Sequence, residues 1–292
     1  MEYQWFPGHM TKAFRMMQED IKLIDLVIEL LDARVPISSK NPDIDKLAKG
    51  KSRLIVLNKY DLANESESRY FETMYEERGF TVVKSDCRNR GNVKKISDAV
   101  EIANREKTEK NRKKGIINRP VRAMVVGIPN VGKSTLINSL SNKASAKTGN
   151  KPGVTRGKQW IRLNKQIELL DTPGVLWPKF EDKETGLRLA LIGTINDDII
   201  DHVELAMSLI GICLESYSDA FIKRYGLEPR EILESQNTGN PSLNILEMIA
   251  KKRGALLKGG DYDLLKAARL LLSDFRSGKL GRITLDGRPD NG

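Results

Sequence analysis

Cysteine and histidine are scarce in this chain of 292 residues, which contains two of each. Cys87 and Cys213 cannot build a disulfide framework, and so few cysteines are typical of a reducing, cytoplasmic environment. Neither cysteine has metal-ligand residues beside it, so we expect no zinc site. No apolar run approaches the roughly 18 residues that span a bilayer, and the first residues lack a signal-peptide pattern. We therefore expect a cytoplasmic protein without a membrane partner.

Acidic residues are few in three separate blocks of a chain whose formal net charge is +10. Residues 104–122 carry eight Lys/Arg and two acids, residues 143–165 carry seven and none, and residues 251–292 carry ten and five. Residues 185–250 have the opposite balance, with four basic and ten acidic residues. Separate basic blocks favour a nucleic-acid partner, with an ordinary solvated surface as the alternative.

Residues 121–135 have the pattern of a phosphate-binding loop. An apolar run at 123–126 predicts a buried strand, Gly127-x-x-x-x-Gly132-Lys133-Ser134 follows, and a helix is predicted from Ser134. The glycines allow successive N–H groups to point at a polyphosphate, Lys133 can reach the β- and γ-phosphates, and the Ser134 hydroxyl can ligate Mg²⁺. The predicted phosphate-binding residues are Asn130, Val131, Gly132, Lys133, Ser134 and Thr135.

Asn58-Lys59-Tyr60-Asp61 follows a predicted strand at 53–57. A buried Asp61 carboxylate can accept hydrogen bonds from N1–H and the N2 amine of guanine, whereas adenine offers neither donor, so GTP is favoured over the alternative of ATP. Asn58 can hold the loop and the base edge, and the Lys59 stem can cover the ring. The strand predicted at 80–84 leads to Ser85-Asp86-Cys87, where a backbone N–H can meet guanine O6.

A switch motif follows the phosphate loop. Asp171-Thr172-Pro173-Gly174 comes after a strand predicted at 167–170, so that Asp171 can hold Mg²⁺ through water and the Gly174 N–H can contact the γ-phosphate. In the basic loop 143–157, Thr155 is the candidate whose hydroxyl ligates Mg²⁺, and Thr148 is the alternative. Lys133 and Thr155 are therefore also catalytic candidates.

The order of these motifs is permuted, because the guanine motif precedes the phosphate loop. A doubly wound α/β fold remains possible, since permutation moves the termini without altering strand neighbours. We predict a permuted P-loop GTPase domain with a small all-helical C-terminal domain. The expected units are an N-terminal helical extension at 1–22, the GTPase domain at 23–178 and a C-terminal domain at 179–292, which is the candidate RNA-binding part.

Within these units the helical pattern is specific enough to test. We expect Phe14, Met17 and Ile21 on one face of the first helix, and a continuous helix over 91–113 that is apolar at Ile102, among other positions. Asp261 is a candidate N-cap for a helix that ends at Gly278. Asn240-Pro241 starts another helix, which Gly254 closes. The apolar face expected on the helix after Asp261 is Leu264, Leu265, Ala268, Leu271, Leu272 and Phe275.

This motif order, with Trp5-Phe6-Pro7-Gly8-His9-Met10 and Asp32-Ala33-Arg34, resembles the circularly permuted GTPases of the YlqF/RbgA family. The resemblance runs from residue 3 through the GTPase domain and continues into the C-terminal region. It implies a role in late maturation of the large (50S) ribosomal subunit, with rRNA and ribosomal proteins as partners and no DNA. A GTP-dependent binding scaffold with incidental hydrolysis is the alternative.

One catalytic group is missing from the switch motif. Many GTPases have a glutamine directly after Asp-x-x-Gly that orients the attacking water, whereas this chain has Val175. Permutation brings His9 towards the switch, and the resemblance also implies a catalytic role for His9; helix capping is the alternative. In GTPases that resemble this chain, an asparagine at the position of Asn130 helps to hold K⁺, with a turn-stabilising role as the alternative.

Overall fold

The protein is described by a computed structural model that covers residues 8–289 apart from 90, 117–118, 142–158, 178–179 and 181. Six strands form one sheet in the order β3-β2-β1-β4-β6-β5. All neighbouring strands are parallel except β5, which pairs antiparallel with β6 at the edge. The strands are β1 (Leu26–Asp32), β2 (Ser52–Asn58), β3 (Thr81–Ser85), β4 (Val121–Gly127), β5 (Gln159–Arg162) and β6 (Ile167–Asp171).

The strand order reverses at the centre of the sheet, between β1 and β4. From β1 the chain continues to β2 and β3 on one side, whereas from β4 it continues to β5 and β6 on the other. Parallel sheets bind ligands at the carboxyl ends of their strands beside such a point. Because β1 is buried along its whole length, the sheet is covered on both faces, as a doubly wound fold requires. The predicted sheet is confirmed.

Helices α1 to α6 precede or connect the strands, and further helices come after the last strand in the chain. The amino-terminal helix α1 (Gly8–Asp20) buries Met10, Ala13 and Met17, while the expected Phe14 and Ile21 are only half-buried beside that face. The other helices between strands are α2 (Pro42–Leu47), α3 (Glu65–Glu77), α4 (Asn92–Ala103), α5 (Arg105–Lys113) and α6 (Lys133–Ser141).

The continuous helix predicted over 91–113 is wrong, because the chain breaks between α4 and α5 at Asn104. Asn104 has a non-helical ψ of 6°, and its side-chain amide donates to the Thr108 hydroxyl (3.3 Å). The backbone bonds from Asn104 N to Val100 O and from Thr108 N to Asn104 O remain, so the break is confined to this one residue. Ile102, expected on the apolar face, is 65% exposed just before this break.

Among the described residues after the sheet there are six α-helices and a short 3-10 helix, Asp197–Ile199. Helix α8 packs against α7, α11 and α12, and α11 also packs against α9, α10 and α12. Among the described residues no single helix has the length and apolarity to span a bilayer, although α8 and α9, bent by 117°, satisfy that test as a pair. The helices are α7 (Lys183–Leu191), α8 (His202–Ser216), α9 (Asp219–Tyr225), α10 (Pro229–Gln236), α11 (Pro241–Arg253) and α12 (Leu264–Arg276).

The ends of α11 are as predicted, but the start of α12 is not. Asn240 caps α11, and Gly254 ends it in a left-handed conformation. The N-cap of α12 is Asp263, whose carboxylate accepts from Lys266 N (2.9 Å), and not Asp261. The carbonyl of Asp261 instead accepts from Leu257 N (2.8 Å), because residues 255–263 form a small hairpin before the helix. Leu265, expected on the buried face, is 44% exposed.

Candidate nucleotide site

The predicted site residues meet at the carboxyl edge of the parallel strands. Asn58, at the end of β2, connects two of the predicted loops. Its Nδ2 donates to Val131 O in the phosphate loop (2.7 Å), and its Oδ1 accepts from Cys87 N (3.0 Å) after β3. Both ends of this buried amide are therefore used to join loops, and the Cys87 N–H is already bonded to the protein. Asn58 acts as the organiser of the site.

The phosphate loop lies between β4 and α6, as predicted. Gly132 has φ +105°, and a Cβ there would overlap Asn58 Nδ2, so this position requires glycine. Lys133 is buried, and its Nζ donates to Gly127 O (2.9 Å) and Ile128 O (2.8 Å). Burial lowers the pKa of Lys133 to about 8, against the opposing effect of Asp171. The lysine is thus held inside the loop, at the place where phosphates would meet it.

Asp171, at the end of β6, fits a metal-binding role. Its Oδ1 is buried and has no hydrogen-bond partner among the described residues. Burial raises the pKa of Asp171 to about 6, although Lys133 lowers it. An unpaired buried carboxylate is costly unless a cation joins it. Together with Ser134 at the start of α6, this oxygen fits Mg²⁺, a cation that prefers oxygen ligands.

Gly174 brings the switch motif against the phosphate loop. A Cβ at Gly174 would lie 2.8 Å from Lys133 Nζ and 2.9 Å from Pro129 Cα, so no side chain is tolerated there. Val175 N donates to Gly127 O (3.3 Å). The start of the switch therefore covers the lysine, and a bound γ-phosphate would meet both groups. The three residues that follow Gly174 are buried: Val175, Leu176 and Trp177.

Asp61 has the environment that guanine recognition requires. Its Oδ1 is buried without a hydrogen-bond partner among the described residues, while Oδ2 accepts from Arg88 Nη2 (2.5 Å). Arg88 also binds Asp86 through Nε (2.9 Å). The two loops that would hold the base are thus joined by Arg88, which sequence reasoning missed because an arginine in a polar turn has no periodic signal. The unpaired Oδ1 is available to a guanine N–H.

A buried charge cluster supports the guanine loop from behind. The Arg34 guanidinium binds Asp32 through two bonds (2.9 and 2.8 Å), and Lys59 Nζ also donates to Asp32 (3.0 Å) and to Asn130 O (2.9 Å). Burial alone would raise the pKa of Asp32, but Arg34 and Lys59 hold it well below its ordinary value. Lys59 is in the left-handed region, with φ 58°. Its ammonium therefore joins the guanine motif to both β1 and the phosphate loop.

The phosphate loop also contacts the C-terminal helices. Asn130, which has φ 59°, donates through Nδ2 to Gly193 O (2.7 Å) in the turn after α7. The Arg276 guanidinium on α12 donates to Leu191 O and Ala190 O (both 2.9 Å), the last two residues of α7 before that turn. These contacts join residues that are far apart in the chain, so no sequence pattern predicts them. Together they connect the phosphate loop to α7 and to α12.

The side chains of three predicted residues fall outside what the structure describes. Thr155 and Thr148 lie in the segment 142–158. The backbone of His9 belongs to the first turn of α1, but its side chain is not among the described atoms. The roles of these residues therefore stay predictions.

Because the pKa values of Asp171 and Lys133 are shifted, nucleotide binding should release protons below neutral pH and take them up above it. Mg²⁺ favours ionised Asp171, so binding of Mg·GDP near pH 6 should release protons; phosphates favour charged Lys133, so binding near pH 8 should take protons up. Titration calorimetry in buffers of different ionisation enthalpy measures both. Asp171→Asn should lose the protein's share of the release near pH 6 and keep the uptake near pH 8. Equal release by the variant and the parent chain would contradict this assignment.

The sheet order, the phosphate loop and the switch motif define a P-loop GTPase with permuted motif order. A family model described as "50S ribosome-binding GTPase" matches residues 122–232. The match includes the phosphate loop and Asp171 but not the guanine motif, which permutation has moved ahead of it. Two solved structures of YlqF from Thermotoga maritima share the fold. The GDP-bound one has a TM-score of 0.67 and 25% identity over 95% of this chain and 100% of that chain; the GNP-bound one has 0.62 and 26% over 96% and 99%.

Curated relatives extend over almost the whole chain. "Ribosome biogenesis GTPase A" of Bacillus cereus is 44% identical over 98% of this chain and 94% of its own length. The protein of that name from Bacillus licheniformis is 43% identical over 99% of this chain and 100% of its own length. "Mitochondrial ribosome-associated GTPase 1" of Mus musculus is 35% identical over 97% and 90%. The chain belongs to the ribosome biogenesis GTPase A family and is a GTP-hydrolysing enzyme.

Proposed function

We propose that this GTPase is a timing switch in late assembly of the large (50S) ribosomal subunit, which binds precursor particles in the GTP state and leaves after hydrolysis. Its relatives bear names of ribosome biogenesis and ribosome association, and a 50S-binding family model matches its switch region. The contact that carries the proposal is Asn130 to Gly193 (2.7 Å). It lets a change at the phosphate loop reach the helical region directly.

The roles of the nucleotide site follow from its geometry. Lys133 would exchange the Gly127 and Ile128 carbonyls for phosphate oxygens, and Asp61 would accept from the guanine edge. Ser134 and Asp171 would hold Mg²⁺, with Thr155 as a further ligand in the GTP state. The ion would neutralise charge that develops on the phosphates. His9 would orient the attacking water, because Val175 occupies the usual glutamine position and cannot hydrogen-bond water.

Potassium is a further proposed cofactor. Asn130 uses its Nδ2 to bind Gly193 O, so the Oδ1 atom, which would ligate a cation, is not the atom used in that contact. A K⁺ ion held there beside the phosphates would offset transition-state charge as an arginine finger does. This role is compatible with contact to α7, since the two use different atoms.

We propose residues 1–22, 23–178 and 179–292 as the N-terminal extension, GTPase unit and output domain, with rRNA as the partner of the last. Exposed basic residues surround the hairpin before α12, where they outnumber the acids Asp261 and Asp263. Contact through phosphates would weaken steeply with salt. Both cysteines are buried and do not form a disulfide with each other, as we expect of a protein in the reducing cytoplasm. The exposed basic residues are Lys251, Lys252, Arg253, Lys258, Lys266 and Arg269.

Large ribosomal subunits should stimulate GTP hydrolysis by this protein, because binding to the particle would bring the water-orienting group into place. Multiple-turnover hydrolysis with and without purified 50S subunits, each in K⁺ and Na⁺ buffers, is the measurement. We expect stimulation of at least tenfold, with the higher rate in K⁺. Small (30S) subunits are the matched control and should give little stimulation. Equal rates in K⁺ and Na⁺ would remove the potassium role without touching the rest.

The buried Val175 also favours a second candidate, a GTP-dependent scaffold in which hydrolysis is incidental. The same experiment separates the two functions. Binding to 50S subunits that depends on GTP, without stimulation of hydrolysis, would favour the scaffold and contradict the timing switch.

A further inference from the structure

The segment after α12 returns to the sheet and lies beside the guanine loop. This return segment, residues 280–288, pairs with the turn that follows the guanine motif: Ile283 N donates to Leu62 O (3.0 Å), and Asn64 N donates to the Thr284 hydroxyl (3.1 Å). Ile283 and Leu285 are buried, with 1% and 4% exposure. The attachment is therefore both polar and apolar, unlike a loosely placed tail.

Arg282 grips the two ends of the turn that carries Asp61. Its Nε donates to Ala63 O (2.7 Å), and its Nη2 donates to Tyr60 O (3.1 Å). Asp61 lies between these two carbonyls in the chain. A guanidinium is a planar fork with fixed donor directions, so it holds the distance and orientation between two acceptors better than a single ammonium does. The position of Asp61 thus depends on a residue more than 200 positions later.

The far end of the return segment is anchored independently of this turn. Leu285 N donates to Arg34 O (2.7 Å), beside the buried pair with Asp32. The Asp286 carboxylate, 4% exposed, accepts from Ile37 N (2.7 Å) and from Ser38 N (2.9 Å). These bonds fix the return segment to the loop after β1. Arg282 therefore holds the guanine loop from a segment that is itself anchored.

We propose that the return segment, through Arg282, is a positioning element for guanine recognition. This inference rests on the proposed role of Asp61. A hydrogen-bonding carboxylate discriminates between bases only when it is held in place, since a loop that must first be ordered loses part of the binding energy. Arg282 supplies that order before the nucleotide arrives. By linkage, guanine binding must in turn strengthen the attachment of the return segment.

The test compares GDP with inosine diphosphate, which lacks the N2 amine and so has one bond fewer to Asp61. The ratio of their Kd values, measured on the full chain, reports the contact of Asp61 with the base and not overall affinity. Arg282→Ala should reduce this preference for GDP by at least about threefold, and Arg282→Lys should recover part of it. Arg288→Ala is the matched control, because Arg288 binds Glu67 (2.9 Å) in the same segment without touching residues 60–63. It should keep the parent ratio.

The outcomes separate this inference from the assignment beneath it. If the parent chain shows no preference for GDP over inosine diphosphate, the role of Asp61 fails and the inference fails with it. If the parent prefers GDP and Arg282→Ala keeps the same ratio, the inference alone is overturned. A lower Tm or an equal loss of both affinities at that unchanged ratio would mean that Arg282 is merely structural. A ratio lowered equally by Arg288→Ala would also overturn it.

Discussion

Asp61→Asn should move the nucleotide preference of this enzyme from GTP to xanthosine triphosphate. The parent carboxylate offers a buried, unpaired Oδ1 to the N–H donors of guanine. An amide at this position offers one donor and one acceptor, which matches the C2 carbonyl and N1–H of xanthine and opposes the N2 amine of guanine. We expect GTP affinity to fall about 100-fold, since a buried charge-assisted hydrogen bond is lost and a donor is set against a donor.

Equilibrium binding of GTP, xanthosine triphosphate and ATP to the parent and variant measures this exchange. Asp45→Asn is the matched control: it removes a carboxylate from the same unit, on α2, where Asp45 is half-exposed and binds Arg53 (3.0 Å). The control should keep the parent preference. If Asp61→Asn binds xanthosine triphosphate no better than the parent does, or if the parent binds ATP as well as GTP, the guanine assignment is wrong.

The sheet and its motifs could be predicted because they depend on local patterns. Each nucleotide motif follows an apolar run, and the carboxyl ends of parallel strands meet at one edge. That is why Asn58, Lys133 and Asp171 were identified and do converge. The glycine pattern is equally local, since Gly132 serves a backbone conformation and a close approach that belong to the loop itself.

The helix boundaries that were missed depend on competition between nearby polar groups. Asp261 and Asp263 are both plausible caps, and the short hairpin at 255–263 decides between them. Asn104 separates α4 from α5 through its ψ of 6°, although its backbone still bonds to Val100 and Thr108. Each difference is small in energy on the scale of a helix cap, about 1 kcal/mol. Sequence alone does not resolve it.

The links between the nucleotide site and the rest of the protein were missed for another reason. Asn130 meets Gly193, and Arg34 Nη1 donates to Arg276 O (3.4 Å), across large sequence separations. In the sequence, Arg34 belongs to the Asp32-Ala33-Arg34 motif that carries the family resemblance, and that motif assigns it no role. Such contacts arise from tertiary packing, and no periodicity marks them. In the proposed function they are the contacts through which the nucleotide site would act on the helical region.

His9→Ala should lower the rate constant of single-turnover GTP hydrolysis by about 100-fold, within the range that positioned acid–base groups contribute, and leave the Kd for GTP unchanged. The physical reason is that the glutamine that usually orients the attacking water is missing after Gly174. The residue after Gly174 is Val175, which is 1% exposed and apolar, so the usual glutamine position cannot hydrogen-bond the attacking water. His9 precedes Met10, which is completely buried and anchors the first turn of α1. Rapid-quench measurement with enzyme in excess over GTP isolates the chemical step.

His202→Ala is the matched control, since His202 is the only other histidine and begins α8 in the helical region. It should hydrolyse GTP at the parent rate. Weaker GTP binding by His9→Ala with unchanged chemistry would contradict the catalytic role and favour helix capping at the start of α1. The expected result has a consequence for regulation. A water-orienting group on α1, outside the sheet and outside the switch, acts only when that helix is correctly docked. A ribosomal particle that contacts α1 would therefore control hydrolysis without touching the nucleotide.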